Sequence, residues 1–92
     1  MSDTDISVTD NPAEHRYEVR LGDRLVGHTE YQLGEHRIVF VHTEVDPSVE
    51  GQGIGSRLAR DAIADARSRN LAVAATCPFI SAYLRRHPLK GG

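Results

Sequence analysis

Tyr17, Val19 and Leu21 alternate with Glu18 and Arg20, the period of a half-buried strand. Gly22-Asp23 fits a two-residue hairpin turn. Beyond it Leu25, Gly27, Thr29, Tyr31 and Leu33 alternate with His28, Glu30 and Gln32, a second strand with one wet face. Gly34-Glu35 turns the chain again, and His36 to Val45 reads as a third strand. Its segment Ile38-Val39-Phe40-Val41 is apolar on both faces, so this strand is central in a sheet or covered by a helix. Asp46-Pro47 ends it, because proline cannot donate to a ladder. From Ile54 to Arg69 the period changes: Ile54, Leu58, Ala59, Ala62, Ile63 and Ala66 form one helical stripe, with charged residues on the other side. Asn70 suits a helix stop, Leu71–Thr76 a buried strand, and Pro78 the first turn of a short second helix. Phe79, Ile80, Tyr83 and Leu84 give that helix an apolar face, and Pro88 closes it. Met1 to about Ala13, acidic and broken by Asn11-Pro12, reads as a flexible arm ahead of one domain over residues 14–92.

The order is three antiparallel strands, helix, strand, helix. Hairpins followed by a crossover predict an α+β (mixed α/β) fold, with the helices packed on a mixed sheet.

The chain has 92 residues, enough for one small core. A hydrophobic share of 39% and a charged share of 26% exclude a disordered chain. A net charge of −2 argues against a nucleic-acid binder. The basic cluster Arg85, Arg86, His87 and Lys90 reads as a solvated helix end or a small anion contact. Apolar runs such as Ile38–Val41 are far too short to span a membrane. With one cysteine and no signal-peptide pattern, a cytoplasmic setting is expected. The histidines His15, His28 and His36 show no metal-ligand spacing, so no metal is expected.

The segment from Val45 to Leu58 is the most informative. Gly51, Gly53 and Gly55 alternate between a strand end and a helix start. Residues without Cβ atoms let backbone N–H groups approach a ligand closely. The helix adds orphan donors and the positive end of its dipole, a ready anion site. A P-loop would need Gly-Lys-Ser/Thr, and the dinucleotide fingerprint would need glycine where Ser56 stands, early in a parallel sheet. Both readings fail.

The pattern Val45-x-Pro47-x-x-Glu50-Gly51-Gln52-Gly53-Ile54-Gly55 resembles the acetyl-CoA loop of the GNAT-type N-acetyltransferases. The likeness continues through His42-Thr43-Glu44-Val45 and the tail Cys77-Pro78-Phe79-Ile80-Ser81-Ala82-Tyr83-Leu84-Arg85-Arg86-His87-Pro88. Both are similar to a short, cysteine-bearing subgroup of single-domain GNAT-like proteins. It covers Tyr17 to Pro88, nearly the whole chain. One position departs: the first loop residue is Glu50, where a basic or amide residue is usual. A carboxylate beside a diphosphate is unfavourable unless it points away or pairs with Arg57 or Arg60.

The resemblance implies a reduced acyl-CoA N-acyltransferase fold. It also implies acetyl-CoA held by backbone groups of Gly51, Gln52, Gly53, Ile54, Gly55 and Ser56. Pantetheine would lie where the His36–Val45 strand splays from the Leu71–Thr76 strand, with the Val45 N–H facing the thioester carbonyl. Acetyl transfer also needs a neutral amine and a proton for the leaving thiolate. Cys77, ahead of Pro78 at a helix start where the dipole favours a thiolate, could carry the acetyl group, act as acid/base, or be a small buried hydrophobe. Tyr83 could protonate the thiolate or fill the core. His42 and Glu44, on one side of their strand, could take the amine proton or be a hydrogen-bonded histidine and a solvated strand end.

The expected activity is acetyl transfer from acetyl-CoA to an amine: a protein lysine, an N-terminus or a polyamine-like molecule. A CoA-binding module with weak or no catalysis is the alternative, and a partner-binding domain that keeps only the fold is a third. The acceptor and the oligomeric state are left open by the residues.

Overall fold

A computed structural model describes residues 5–87, so Pro88 and Lys90 lie outside the described residues. Five strands and two α-helices follow one another: β1 (Ile6–Asn11), β2 (Arg16–Leu21), β3 (Arg24–Leu33), β4 (Arg37–Val45), α1 (Ile54–Ser68), β5 (Ala72–Ala75) and α2 (Pro78–Arg86). The sheet order is β1-β2-β3-β4-β5. The first four strands are antiparallel, and β5 runs parallel to β4. This is the expected mixed sheet with one addition.

The addition is β1. The segment read as a flexible arm supplies a full edge strand, paired with β2 from Ile6↔Leu21 to Asn11↔Arg16. Its acidic composition hid a strand period: Ile6 and Val8 pack on the core, between Ser7 and Thr9. Asp10 is a structural acceptor, taking hydrogen bonds from the Tyr31 hydroxyl at 2.7 Å and lying 3.5 Å from Arg69 of the α1–β5 connection.

Helix α1 lies across all five strands, on one face only. Its buried residues, Ile54, Leu58, Ala59, Ala62, Ile63 and Ala66, are the stripe expected from the sequence. They meet Tyr17, Val19, Tyr31, Ile38 and Phe40. The rings of Tyr17, Tyr31 and Phe40 lie within 6.3 Å of one another. The Tyr17 hydroxyl donates to Asp65 at 2.6 Å and accepts from Arg69 at 3.2 Å, anchoring the end of α1 to β2. Burial and the Asp65 carboxylate raise the Tyr17 pKa, and burial and Asp10 push Tyr31 up to about 12. Asn70 adopts a left-handed φ of 64° where α1 ends, the conformation a helix stop requires.

Two register shifts shape the sheet. One lies between Val19 and Arg20 and the other opposite Glu30/Tyr31, where β4 carries Val41 as an extra residue. A bulge flips the alternation of side chains beyond it. Ile38 and Phe40 face the helices before the bulge, and Thr43 and Val45 do so after it, whereas His42 and Glu44 turn to the helix-free face. Among the described residues no helix is long and apolar enough to cross a membrane.

Candidate functional site

The β4 bulge also sets which backbone groups are free. The Asp46 N–H donates to Val26 O at 2.8 Å, so it points to β3. Successive N–H groups of a strand point to opposite edges, which turns the Val45 N–H towards the β5 side. There β5 pairs only as far as Phe40↔Ala75. Thr76 and Cys77 both donate to Phe40 O, at 2.9 and 3.3 Å, and the chain then leaves the sheet as α2. Beyond Phe40 the edge of β4 is open.

That open edge forms one wall of a cleft of about 360 Å³. Thr43 and Val45 line it from β4, Val49, Glu50, Gly51 and Gly53 to Ser56 from the loop and α1, and Phe79 from α2. Asp46 caps a short turn at Pro47–Val49 by accepting from the Ser48 N–H at 2.9 Å, which aims the loop. Gly51 and Gly53 hold φ of 84° and 76°, the left-handed region that favours glycine. Gly55 brings the helix close to α2: a Cβ there would stand 2.8 Å from the Phe79 Cζ and push the ring back. Among the described residues Gln52 is the one loop position from Gly51 to Ser56 whose N–H has a backbone acceptor, Val49 O at 3.3 Å. The expected diphosphate grip therefore reduces to Gly51, Gly53, Ile54, Gly55 and Ser56. Four of these five N–H groups belong to the first turn of α1 or its cap, where no intrahelical acceptor exists.

Glu50 is exposed, and neither candidate cation neutralises it. Arg57 and Arg60 both turn to Asp61, at 2.7 and 3.1 Å. Burial raises the Asp61 carboxyl pKa, but the two guanidinium groups overcome it and hold the group below the ordinary range.

The sequence-derived site residues separate into three places. Cys77 caps α2 and is 4% exposed, with Sγ 3.4 Å from Thr43 Oγ1. Thr43 Oγ1 is also 2.9 Å from Thr29 Oγ1. The thiol thus sits behind Thr43, which lines the cleft, as Cys77 does not. Thr43 is the residue the sequence reading missed. The unflipped alternation of β4 would have put it on the outer face, and only the bulge brings it in. Tyr83 does not line that cleft. It stacks edge-on against His87, centroids 4.2 Å apart, and lines an adjoining cleft of about 420 Å³ with Gln52, Arg57, Arg60 and His87. The geometry does not bring it to Val45.

His42 and Glu44 lie on the helix-free face, 3.5 Å apart, with side chains 51% and 66% exposed. Cross-strand pairing places His28 opposite Glu44 and Glu30 opposite His42. His28 Nε2 lies 3.1 Å from Glu30 Oε2. His28 thus has His42 and Glu44 as neighbours across the ladder, a proximity that sequence spacing does not show.

A family model described as GCN5-related N-acetyl-transferase matches residues 16–90. No curated protein matches the chain in sequence. Among solved structures, a GCN5-like protein from Staphylococcus aureus is similar, with TM-score 0.66 and 22% identity, covering 90% of this chain and 81% of its own. An integron cassette protein from the mobile metagenome of V. cholerae gives TM-score 0.60 and 15% identity, covering 82% of this chain and 53% of its own. An aminoglycoside acetyltransferase from an uncultured soil metagenomic sample, in complex with sisomicin, gives 0.58 and 15%, covering 84% and 58%. At these identities the structural likeness is one of fold.

Proposed function

The chain belongs to the GCN5-related N-acetyltransferase family, and on that premise we propose that it takes acetyl groups from acetyl-CoA in the loop cleft and passes them to a cationic amine arriving over the helix-free face. The observation that carries this reading is the meeting of two sets of donors in one cleft. Five loop amides without a backbone acceptor among the described residues stand at one end, and the open β4 edge with the Val45 N–H stands at the other.

The residues present fit the cofactor. The amides of Gly51 and Gly53–Ser56, with the α1 dipole behind them, suit a diphosphate. Arg57, Arg60 and His87 in the adjoining cleft suit further negative charge. When bound, acetyl-CoA supplies an activated acyl group. The Val45 N–H would be the donor to its carbonyl oxygen, a hydrogen bond that would strengthen as negative charge develops there. On the other face His42 takes the proton of the amine, and Glu44 holds the imidazole. Cys77 is a positioning residue. Its thiol fixes the Thr43 hydroxyl at the cleft wall. Transfer would go directly from thioester to amine without an acetyl-cysteine: the C–N bond would form as the C–S bond breaks, and the CoA thiolate would take its proton from solvent in the open cleft.

Glu50 favours a second reading, a CoA-binding module with weak catalysis, since its carboxylate stands at the loop without an arginine partner among the described residues. One experiment separates the two. The protein is incubated with acetyl-CoA and a panel of amines, with CoA release and intact protein mass followed together. Our reading expects CoA release that depends on the amine, is strongly reduced in His42→Ala, and leaves no acetyl group on Cys77. CoA-dependent thermal stabilisation without release would establish the binding module. Acetylated Cys77 would overturn the positioning role.

A further inference from the structure

We propose that the helix-free face carries a divalent-cation site in which His28, His42 and Glu44 are the ligands and Zn²⁺ is the ion that the donor set fits. The three residues come from two adjacent strands, and each offers one ligand atom within 4.8 Å of the others. The β4 bulge at Val41 makes this possible. Without it His42 and Glu44 would turn to the helices, away from His28.

The donors are two imidazoles and a carboxylate, the set that binds Zn²⁺ at about 2.0–2.2 Å with a coordination position left for water or a fourth ligand. Tetrahedral geometry at those lengths puts donors about 3.3 Å apart, so closure from 4.8 Å needs side-chain shifts of roughly 1 Å. His42 and Glu44, both more than half exposed, have that freedom, while His28, 15% exposed, is the fixed point. Glu30, 3.1 Å from His28 Nε2, pairs with that ring and is not one of the three clustered donors, so the fourth position is left to water. Glu18, the next carboxylate in the His28 row, does not compete, because Asn11, Arg16 and Arg20 already hold it. Two imidazoles discriminate against Mg²⁺ and Ca²⁺, which take oxygen ligands. If His42 accepts the amine proton as proposed above, a bound ion would occupy it and inhibit transfer, but the binding itself does not rest on that reading.

The test is titration of chelator-stripped, tag-free protein with ZnCl₂ by calorimetry, in a Cys77→Ser background so that no thiol contributes. One Zn²⁺ per chain is expected, with no heat of binding from MgCl₂. His42→Ala should weaken binding at least tenfold, and His36→Ala, on an exposed turn, should not change it. Co²⁺ should give the visible absorption of a four-coordinate ion, and His28→Ala should abolish it. Should His28→Ala fail to fold, the half-exposed His42 carries the test alone. No saturable Zn²⁺ binding, or binding that His42→Ala leaves intact, overturns the proposal. Neither result depends on acetyl-CoA or turnover, so it is distinguishable from failure of the proposed activity.

Discussion

Replacing Gly55 by alanine should separate stability from cofactor binding. Inside a helix the change gains up to about 1 kcal/mol of propensity. The new Cβ stands 2.8 Å from Phe79 Cζ and 3.4 and 3.5 Å from the flanking ring carbons. Carbon atoms pack best at about 3.5–4.0 Å, so the ring must retreat by roughly 1 Å. Phe79 is 39% exposed and can do so at little cost. Both effects are small, and the melting temperature should stay within about 8 °C of the parent. Binding should suffer more, because Gly55 and Phe79 share the cleft. A shift of the wall pulls a diphosphate off at least one amide. A hydrogen bond to a charged group is worth about 1.5–3 kcal/mol, so CoA affinity should fall about tenfold or more. Thermal melts with and without CoA read both quantities, since ligand-linked stabilisation is RT ln(1 + [L]/Kd). A folded Gly55→Ala protein with the parental CoA-induced shift would refute the assignment of this cleft.

Two further outcomes follow from the same contacts. Thr43→Val removes the hydroxyl that meets both Thr29 and Cys77 while keeping the volume. Turnover should fall about tenfold at nearly unchanged KM for acetyl-CoA, and an unchanged kcat would remove Thr43 from the account. Stability should decline at both ends of the pH scale. Burial raises the Glu18 pKa, but hydrogen bonds from Asn11, Arg16 and Arg20 hold it low overall, as Arg57 and Arg60 do for Asp61. Their contribution is present above the unfolded carboxylate values of about 4 and is lost as pH falls through the lower folded values. Tyr17 and Tyr31 are raised, so theirs is complete below about pH 10 and lost above it. Urea melts across pH check this: Tyr17→Phe should flatten the alkaline limb, and an unchanged limb would contradict it.

The main elements were legible because their periods are clean. The α1 stripe and the alternation of β2 and β3 lie within a residue or two of where the pattern puts them. The strand β1 was not, because Asp5 and Asp10 outweigh Ile6 and Val8 in composition, while the strand is stabilised by long-range partners such as Tyr31 and Arg69. The glycine loop was legible as an anion site, but the Gln52 bond and the Gly55–Phe79 contact are tertiary facts. The bulge at Val41 explains most of the remainder. It sends Thr43 inward and gathers His28, His42 and Glu44 on the far face, and no local residue pattern announces it.

The proposed cofactor site consists of main-chain donors at the start of α1 and on the edge of β4. Amide resonances of ¹⁵N-labelled protein, followed during titration with CoA and then acetyl-CoA, test both. Saturable shifts should centre on Gly51, Gly53, Ile54, Gly55 and Ser56 with CoA, and extend to Val45 when the acetyl group is present. Saturation that leaves these amides unmoved, or shifts confined to the helix-free face, would contradict it.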